Sequence, residues 1–286
     1  MKVLILGANG QLGWELQRTC PDNVSLTACD YPEIDLLDSH SIHTCLKAAQ
    51  PDILVNAAAY TAVDKAEQEK ENADKLNHGA VRQIAEICSS DRIHLVHIST
   101  DFIFNGMNHK PYLPQDTPDP ISVYGETKLK GEQVVREILN TNATIIRTAW
   151  LYSSHGSNFV KSMLSLMDTK PALNIIDEQV GTPTWANGLA RAVWGTIEKK
   201  VTGTHHFTDA GVASWYDFAI AIQEEALNLN LIRKEIPITP IPASQYPTPA
   251  RRPFYSVLDK TSLWQALEIS PIHWRKQLRS MLQELK

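Results

Sequence analysis

The sequence predicts a doubly wound α/β fold around a parallel sheet, followed by a smaller mixed α/β region assembled from the C-terminal segments. Three features predict it. Five short runs within residues 1–150 are almost continuously apolar and rich in Val and Ile, as strands covered on both faces must be. Helix-like segments separate them, and strand–helix alternation at this spacing favours parallel pairing through crossovers. The first run leads directly into GANGQLG, a glycine triplet at the entrance to the first helix.

The runs are KVLIL (2–6), VSLTAC (24–29), DILVN (52–56), IHLVHIS (93–99) and ATIIRT (143–148). Helical patterns cover residues 12–18, 41–49, 75–88 and 124–139. This is the plan of a Rossmann-type nucleotide-binding domain over residues 1–150, with 151–286 left for substrate. Past Thr148 the rhythm loosens. Helices are expected over 158–167 and 187–198, a short strand in TGTHHFTD (202–209), and a helix capped by Ser214 that runs to Leu227. IPITPIPASQYPTPARRP (236–253) carries six of the 16 prolines and cannot be helical. It is either a ligand-covering loop or an ordered crossover.

Composition excludes several classes. With 43% apolar and 21% charged residues, the chain reads as globular. A net charge of -5 gives no reason to expect nucleic acid or a membrane surface as partner. No apolar run approaches the roughly 20 residues that span a bilayer. MKVLILG lacks the cleavage site of a signal peptide. Cys20, Cys29, Cys45 and Cys88 lack paired metal spacing and read as reduced thiols in a cytoplasmic protein.

The candidate site begins at Gly7, Gly10 and Gly13. Glycines at these positions allow a tight turn and close backbone approach, so that the free amides of a helix can meet a pyrophosphate. Asp30 ends the second strand, where it either accepts from an adenosine ribose, favouring NAD, or serves as a turn residue. Ala57, Ala58 and Ala59 follow the third strand. They either let a flat cofactor pass or pack a helix tightly. The fourth strand ends in Ser99 and Thr100, at the edge where open α/β sheets bind ligands. Tyr124 and Lys128 stand four apart on the next helix. A YxxxK pair alone is usually a solvated helix face. Joined to the glycine loop and the strand-end threonine, it reads as a proton donor whose pKa the ammonium lowers. In the proline-rich segment, Arg251 and Arg252 are either a clamp for a diphosphate or a solubilising pair.

These motifs resemble the extended short-chain dehydrogenases/reductases and, within them, the dTDP-4-dehydrorhamnose reductases. The likeness runs through GANGQLGWELQR (7–18), PDILVNAAAYTAVDKAE (51–67), STDFIFNG (99–106), VYGETKLKGE (123–132), IIRTAWLY (145–152), SNFVKSML (157–164) and YPTPARRPFYSVLD (246–259). It implies reduction of the C4 ketone of dTDP-4-dehydro-β-L-rhamnose to dTDP-L-rhamnose, with NADH or NADPH, for cell-surface polysaccharide. The second region would be a sugar-nucleotide domain, some of whose segments return to the first. Tyr124 would protonate the new oxygen, Lys128 would hold the nicotinamide ribose and tune the tyrosine, and Thr100 would bond the reacting oxygen. Asn9, Gln11, Leu12, Asp35, Leu36 and Tyr60 would join the cofactor contacts. Asp101, Phe102, Trp150, Asn158 and Arg252 would join Thr100 around the sugar nucleotide.

The chain departs from the pattern in three places. Phe102 replaces a usual tyrosine and Tyr255 a usual asparagine, which bears on the sugar contacts rather than on hydride transfer. Some members dimerise through magnesium on surface carboxylates. Glu15 matches one such position, but Asn187 stands where another acid is usual, so no metal is expected. The expected partner is a dTDP-sugar alone, with the protein a monomer or homodimer. Two rivals remain. Another nucleotide-sugar 4-reductase or a 4-epimerase would use the same scaffold, and an epimerase would retain its NAD. A non-catalytic nucleotide-sugar-binding regulatory subunit would tolerate loss of the Tyr–Lys pair. A 4,6-dehydratase would need an acid where Phe102 stands.

Overall fold

The computed structural model describes all residues, Met1–Lys286. In chain order the first half runs β1 (Lys2–Leu6), α1 (Gln11–Arg18), β2 (Ser25–Cys29), α2 (Ser39–Ala49), β3 (Ile53–Asn56), α3 (Val63–Ala66), α4 (Lys70–Asp74), α5 (Ala80–Asp91), β4 (His94–Thr100), α6 (Val123–Leu139) and β5 (Ala143–Thr148). The second half runs β6 (Leu151–Tyr152), α7 (Phe159–Thr169), β7 (Leu173–Ile176), β8 (Val180–Gly181), β9 (Thr184–Trp185), α8 (Ala186–Glu198), β10 (Gly203–His206), β11 (Ala213–Ser214), α9 (Trp215–Asn228), β12 (Ile238–Ile241), α10 (Thr261–Leu267) and α11 (Trp274–Gln283). No helix is long and apolar enough to cross a membrane.

Six strands form one parallel sheet in the order β10-β5-β4-β3-β1-β2. Alternation along β1 explains its unbroken apolar run, because successive side chains enter opposite layers. Leu4 and Leu6 pack with Ile42 and Leu46 of α2, Ile84 of α5 and Val135 of α6. Val3 and Ile5 pack on the other face with Leu12 and Leu16 of α1, Val193 and Trp194 of α8, and Leu263 of α10. Thus α8, β10 and α10, all beyond residue 150, complete the sheet and one of its layers. A separate core joins α7, α9 and α11 through Val160, Met163, Phe218, Ile222, Leu278 and Met281. Ser214 caps α9 in a reciprocal box with Asp217.

Two local features differ from the sequence expectation. The helix expected from residue 75 is continuous in space from α4 to α5 through a π-helical turn, Lys75–Gly79. The proline-rich segment is neither simple loop nor simple crossover, because β12 within it pairs in parallel with β7. Pro240 is tolerated there because the two-stranded ribbon has only edges, so no neighbour needs its missing N–H.

Candidate active site

A cavity of about 700 Å³ opens at the carboxyl ends of β1, β3, β4 and β5. At one end lie Asp30, Tyr31, Asp35, Leu36 and Leu37, and at the other Thr100, Asp101, Phe102, Tyr124, Lys128 and Trp150. Gly7, Gly10, Gln11, Leu12, Ala57, Ala58, Ala59 and Asn158 line it between and around these ends. Asn9, Gly13, Tyr60 and Arg252 do not line it.

Each glycine of the triplet has its own reason. Gly7 has φ +85°, and a Cβ there would lie 2.7 Å from the Ala58 nitrogen, so the loop crosses hard against the end of β3. A Cβ on Gly13 would fall 2.0 Å from the Gly7 carbonyl oxygen, which closes the loop onto α1. A Cβ on Gly10 would meet only that same oxygen, at 3.4 Å, leaving its cavity face open. Gly10 caps α1 without a side-chain acceptor, and no acid stands in the first turn, so amides there are available to an anion. Behind the loop, the Cys29 carbonyl accepts from the amides of Gly7 and Ala8 at 3.1 and 3.2 Å. The Asp30 carboxylate accepts from the amides of Asn9 and Tyr31, both at 2.8 Å. An open, amide-lined cradle running to a carboxylate fits a dinucleotide.

The Tyr–Lys helix is placed just as tightly. Ser122 caps α6 by accepting from Gly125 N–H at 3.2 Å, and Glu67 accepts from Val123 N–H at 2.9 Å. A Cβ on Gly125 would lie 2.2 Å from the Phe102 carbonyl oxygen, so glycine after Tyr124 lets α6 close on the 3₁₀ turn Asp101–Ile103. Gly131 plays the same part against the Asn77 carbonyl at 2.3 Å. Asn77, in the π turn, donates to the Tyr60 carbonyl and to Thr127 Oγ1, tying the segment after β3 to α6. Sequence reasoning missed it, because neither spacing nor charge marks a lone asparagine inside a helical pattern.

Tyr124 is half-buried, meets the Phe102 ring edge-on at 5.6 Å and faces the Thr100 hydroxyl. Thr100 Oγ1 also accepts from Phe102 N–H at 3.2 Å and donates to Asp101 Oδ1 at 3.1 Å. Lys128 is buried, and its ammonium donates to the Ile98 carbonyl at 2.8 Å. The expected lowering of the Tyr124 pKa by Lys128 is therefore corrected. Burial, together with the neighbouring Asp101 carboxylate, pushes the phenol up to about 12. Burial also brings Lys128 down to about 8, opposed by Glu132. Glu132 lies one turn further along the same helix face and forms a buried bidentate pair with Arg147 at 2.9 and 2.8 Å.

On the remaining side, Trp150 has φ +47°, a strained value for a bulky residue, and stacks on Trp215 at 3.6 Å and 5°. Asn158 caps α7 and donates to Gln11 Oε1 and to the Ser153 carbonyl. Arg252 is not a free clamp. Its guanidinium grips Asp64 at 3.0 and 2.7 Å, and the Ala250 amide donates to the same carboxylate. Glu15 is buried and accepts from Ser153, Asn187 and Arg18, so its oxygens serve the protein's own interior.

The family model described as RmlD substrate binding domain matches residues 1–286. The chain is 37% identical to the dTDP-4-dehydrorhamnose reductase of Escherichia coli K12, covering 100% of this chain and 98% of that one. It is 38% identical to the spore coat polysaccharide biosynthesis protein SpsK of Bacillus subtilis, covering 99% and 97%. Among solved structures, a dTDP-4-dehydrorhamnose reductase from Clostridium acetobutylicum superposes with a TM-score of 0.92 at 37% identity, over 100% of this chain and 99% of that one. The Bacillus anthracis enzyme in complex with NADP superposes with a TM-score of 0.93 at 31% identity, over 99% of both chains. A match over the full length at this identity places the protein in the dTDP-4-dehydrorhamnose reductase family.

Proposed function

We propose that the chain reduces the C4 ketone of dTDP-4-dehydro-β-L-rhamnose to dTDP-L-rhamnose. The observation that carries this is one cavity holding the open glycine cradle at one side and Thr100, Tyr124 and Lys128 together at the other. A reduced nicotinamide, when bound, supplies the hydride. The chain's own work is to bind, orient and protonate. The first turn of α1 would take the pyrophosphate, Lys128 would hold the nicotinamide ribose, and Thr100 would hold the ketone oxygen against the phenol. Reduction needs a tyrosine that arrives protonated. A phenol pushed up to about 12 is neutral across the physiological range and gives its proton to the alkoxide as charge develops there.

The adenosine end favours NADH over NADPH. Asp30 and Asp35 line it, and residues 30–41 contain no Lys or Arg to meet a 2′-phosphate. In this reading residues 1–150, completed by α8, β10 and α10, are the cofactor domain. Trp150 at its end and Asn158 beyond it face the sugar nucleotide.

The test is oxidation of NADH, with NADPH in parallel, in the presence of dTDP-4-dehydro-L-rhamnose. Formation of dTDP-L-rhamnose, faster with NADH, is expected. Tyr124→Phe should keep cofactor affinity and lose roughly 10²-fold or more in turnover. A variant within a few-fold of wild type would remove Tyr124 from the acid role, and absence of product with both ligands bound would remove the reductase reading.

A further inference from the structure

Residues 153–158 join β6 to α7 and lie against the glycine loop and the first turns of α1. His155 stacks on Trp14, with ring centroids 5.1 Å apart and planes 8° from parallel. Its Nε2 lies 2.9 Å from the Asn9 carbonyl oxygen. A carbonyl can only accept, so Nε2 carries the hydrogen. Asn158 donates to Gln11 Oε1 at 3.0 Å. Between them Gly156 has φ +72°, and a Cβ there would come within 3.3 Å of Gln11 Cγ, so glycine lets the segment lie close. The Ser153 hydroxyl anchors the near end, accepting from His155 N–H at 3.1 Å and donating to Glu15 at 3.0 Å.

The contact at Asn9 falls on the main chain of the loop itself. No backbone amide reaches the Asn9 carbonyl, and the Asn9 amide donates to Asp30 at 2.8 Å. The loop is therefore held from two sides, by Asp30 at the adenosine end and by His155 from beyond β6. In a trans peptide the C=O and N–H point in opposite directions. Fixing the Asn9 carbonyl thus also fixes the Gly10 N–H, which donates to the Gly7 carbonyl at 3.2 Å and closes the turn ahead of α1. Building on the reading of this cavity as a cofactor site, we propose that His155 is a positioning residue that holds the glycine loop in its cofactor-binding shape by donating to the Asn9 carbonyl. Trp14 sets the orientation of the imidazole. His155 does not line the cavity, so its effect passes through the Asn9–Gly10 peptide.

Fluorescence titration of the whole chain with NADH, alongside steady-state reduction of dTDP-4-dehydro-L-rhamnose, tests this. His155→Ala should raise the Kd for NADH roughly five-fold, what one net hydrogen bond contributes. KM for NADH should rise in step, while kcat falls by no more than about two-fold, the pattern of lost binding rather than lost chemistry. His155→Phe keeps a ring for Trp14 without a donor and should match the alanine variant. His155→Gln restores an N–H donor and should recover most of the affinity. An unchanged Kd in His155→Ala would overturn the proposal. Full affinity in His155→Phe would overturn it too, because the stack and not the hydrogen bond would then hold the loop. Equal losses in all three variants, with lowered melting temperatures, would leave His155 a structural role only. A wild type that binds NADH but forms no dTDP-L-rhamnose would instead fail the reductase reading and leave the binding comparison standing. A wild type without NADH affinity would overturn both.

Discussion

The two sides of the cavity are built on different principles. The cofactor side is backbone. Gly7, Gly10 and Gly13 lie within seven residues, and a Cβ on any of them would meet main-chain atoms at 2.0 to 3.4 Å. The sugar-nucleotide side is side-chain packing between distant segments. There Trp150 rests on Trp215, Gly181 admits the Trp150 ring, and Asp64 holds Arg252 across 188 residues of chain. A surface made of main chain cannot move aside for an added atom, whereas stacked rings can slide at modest cost. The first side should therefore fail abruptly under substitution, and the second gradually.

The largest effect should come from beneath the Tyr–Lys helix, where the two sides meet. Glu132→Gln leaves Arg147 buried without its charge partner, which costs about 3–5 kcal/mol of stability. In the wild type, burial opposes ionisation of Glu132, but the hydrogen bonds and charge of Arg147 hold it at about 2. A depressed carboxyl contributes its stability above its unfolded pKa and loses it as pH falls through the folded one. Denaturant midpoints of the wild type should therefore drop between about pH 4.5 and about pH 2, and those of the variant should be flatter there. Parallel acid curves for the two proteins would deny the pair this role.

Gly13→Ala should come next. Its methyl must displace the Gly7 carbonyl, and overpacking of this kind costs about 1–3 kcal/mol or more. Melting temperature and NADH affinity should fall together. Retained NADH affinity in a folded variant would show that the cradle adapts, and the contrast between the two sides would break.

The smallest effect is expected at Gly181→Ala. A Cβ there would lie 2.6 Å from the Trp150 ring, which must tilt against Trp215. NADH binding should stay unchanged while KM for the dTDP-sugar rises several-fold, on the order of 1 kcal/mol, the low end for an inserted methyl. A loss of NADH affinity would mean that the two sides are coupled and the contrast is overdrawn.

Much of the cofactor side and of the reacting centre was legible because their signals are local. GANGQLG after KVLIL, Thr100 at a strand end and YGETK on the next helix each sit on one element, and the sheet places those elements together. The other side was less legible. Arg252 read as either a phosphate clamp or one of a solubilising pair, because its partner Asp64 lies far away in sequence, on α3. The β12–β7 pairing hid among prolines, since two-stranded edge pairing needs little of the usual strand pattern. Lys128 read as the group that lowers the Tyr124 pKa, because a four-residue spacing reports a shared helix face but not where a long side chain ends.

By itself, then, the sequence determined the alternation of the five main strands with helices over residues 1–150, the steric demand for glycine at the turn, and the Thr–Tyr–Lys set. Periodicity, small residues and short spacings act within one or two elements and do not depend on what packs above. Only the tertiary structure decided the protonation of that set. Burial raises Tyr124 and Asp101, while the same burial beside Arg147 leaves Glu132 ionised. What separates the two carboxyls is a cation, and which cation reaches which carboxyl is fixed by β5 lying against α6 in space.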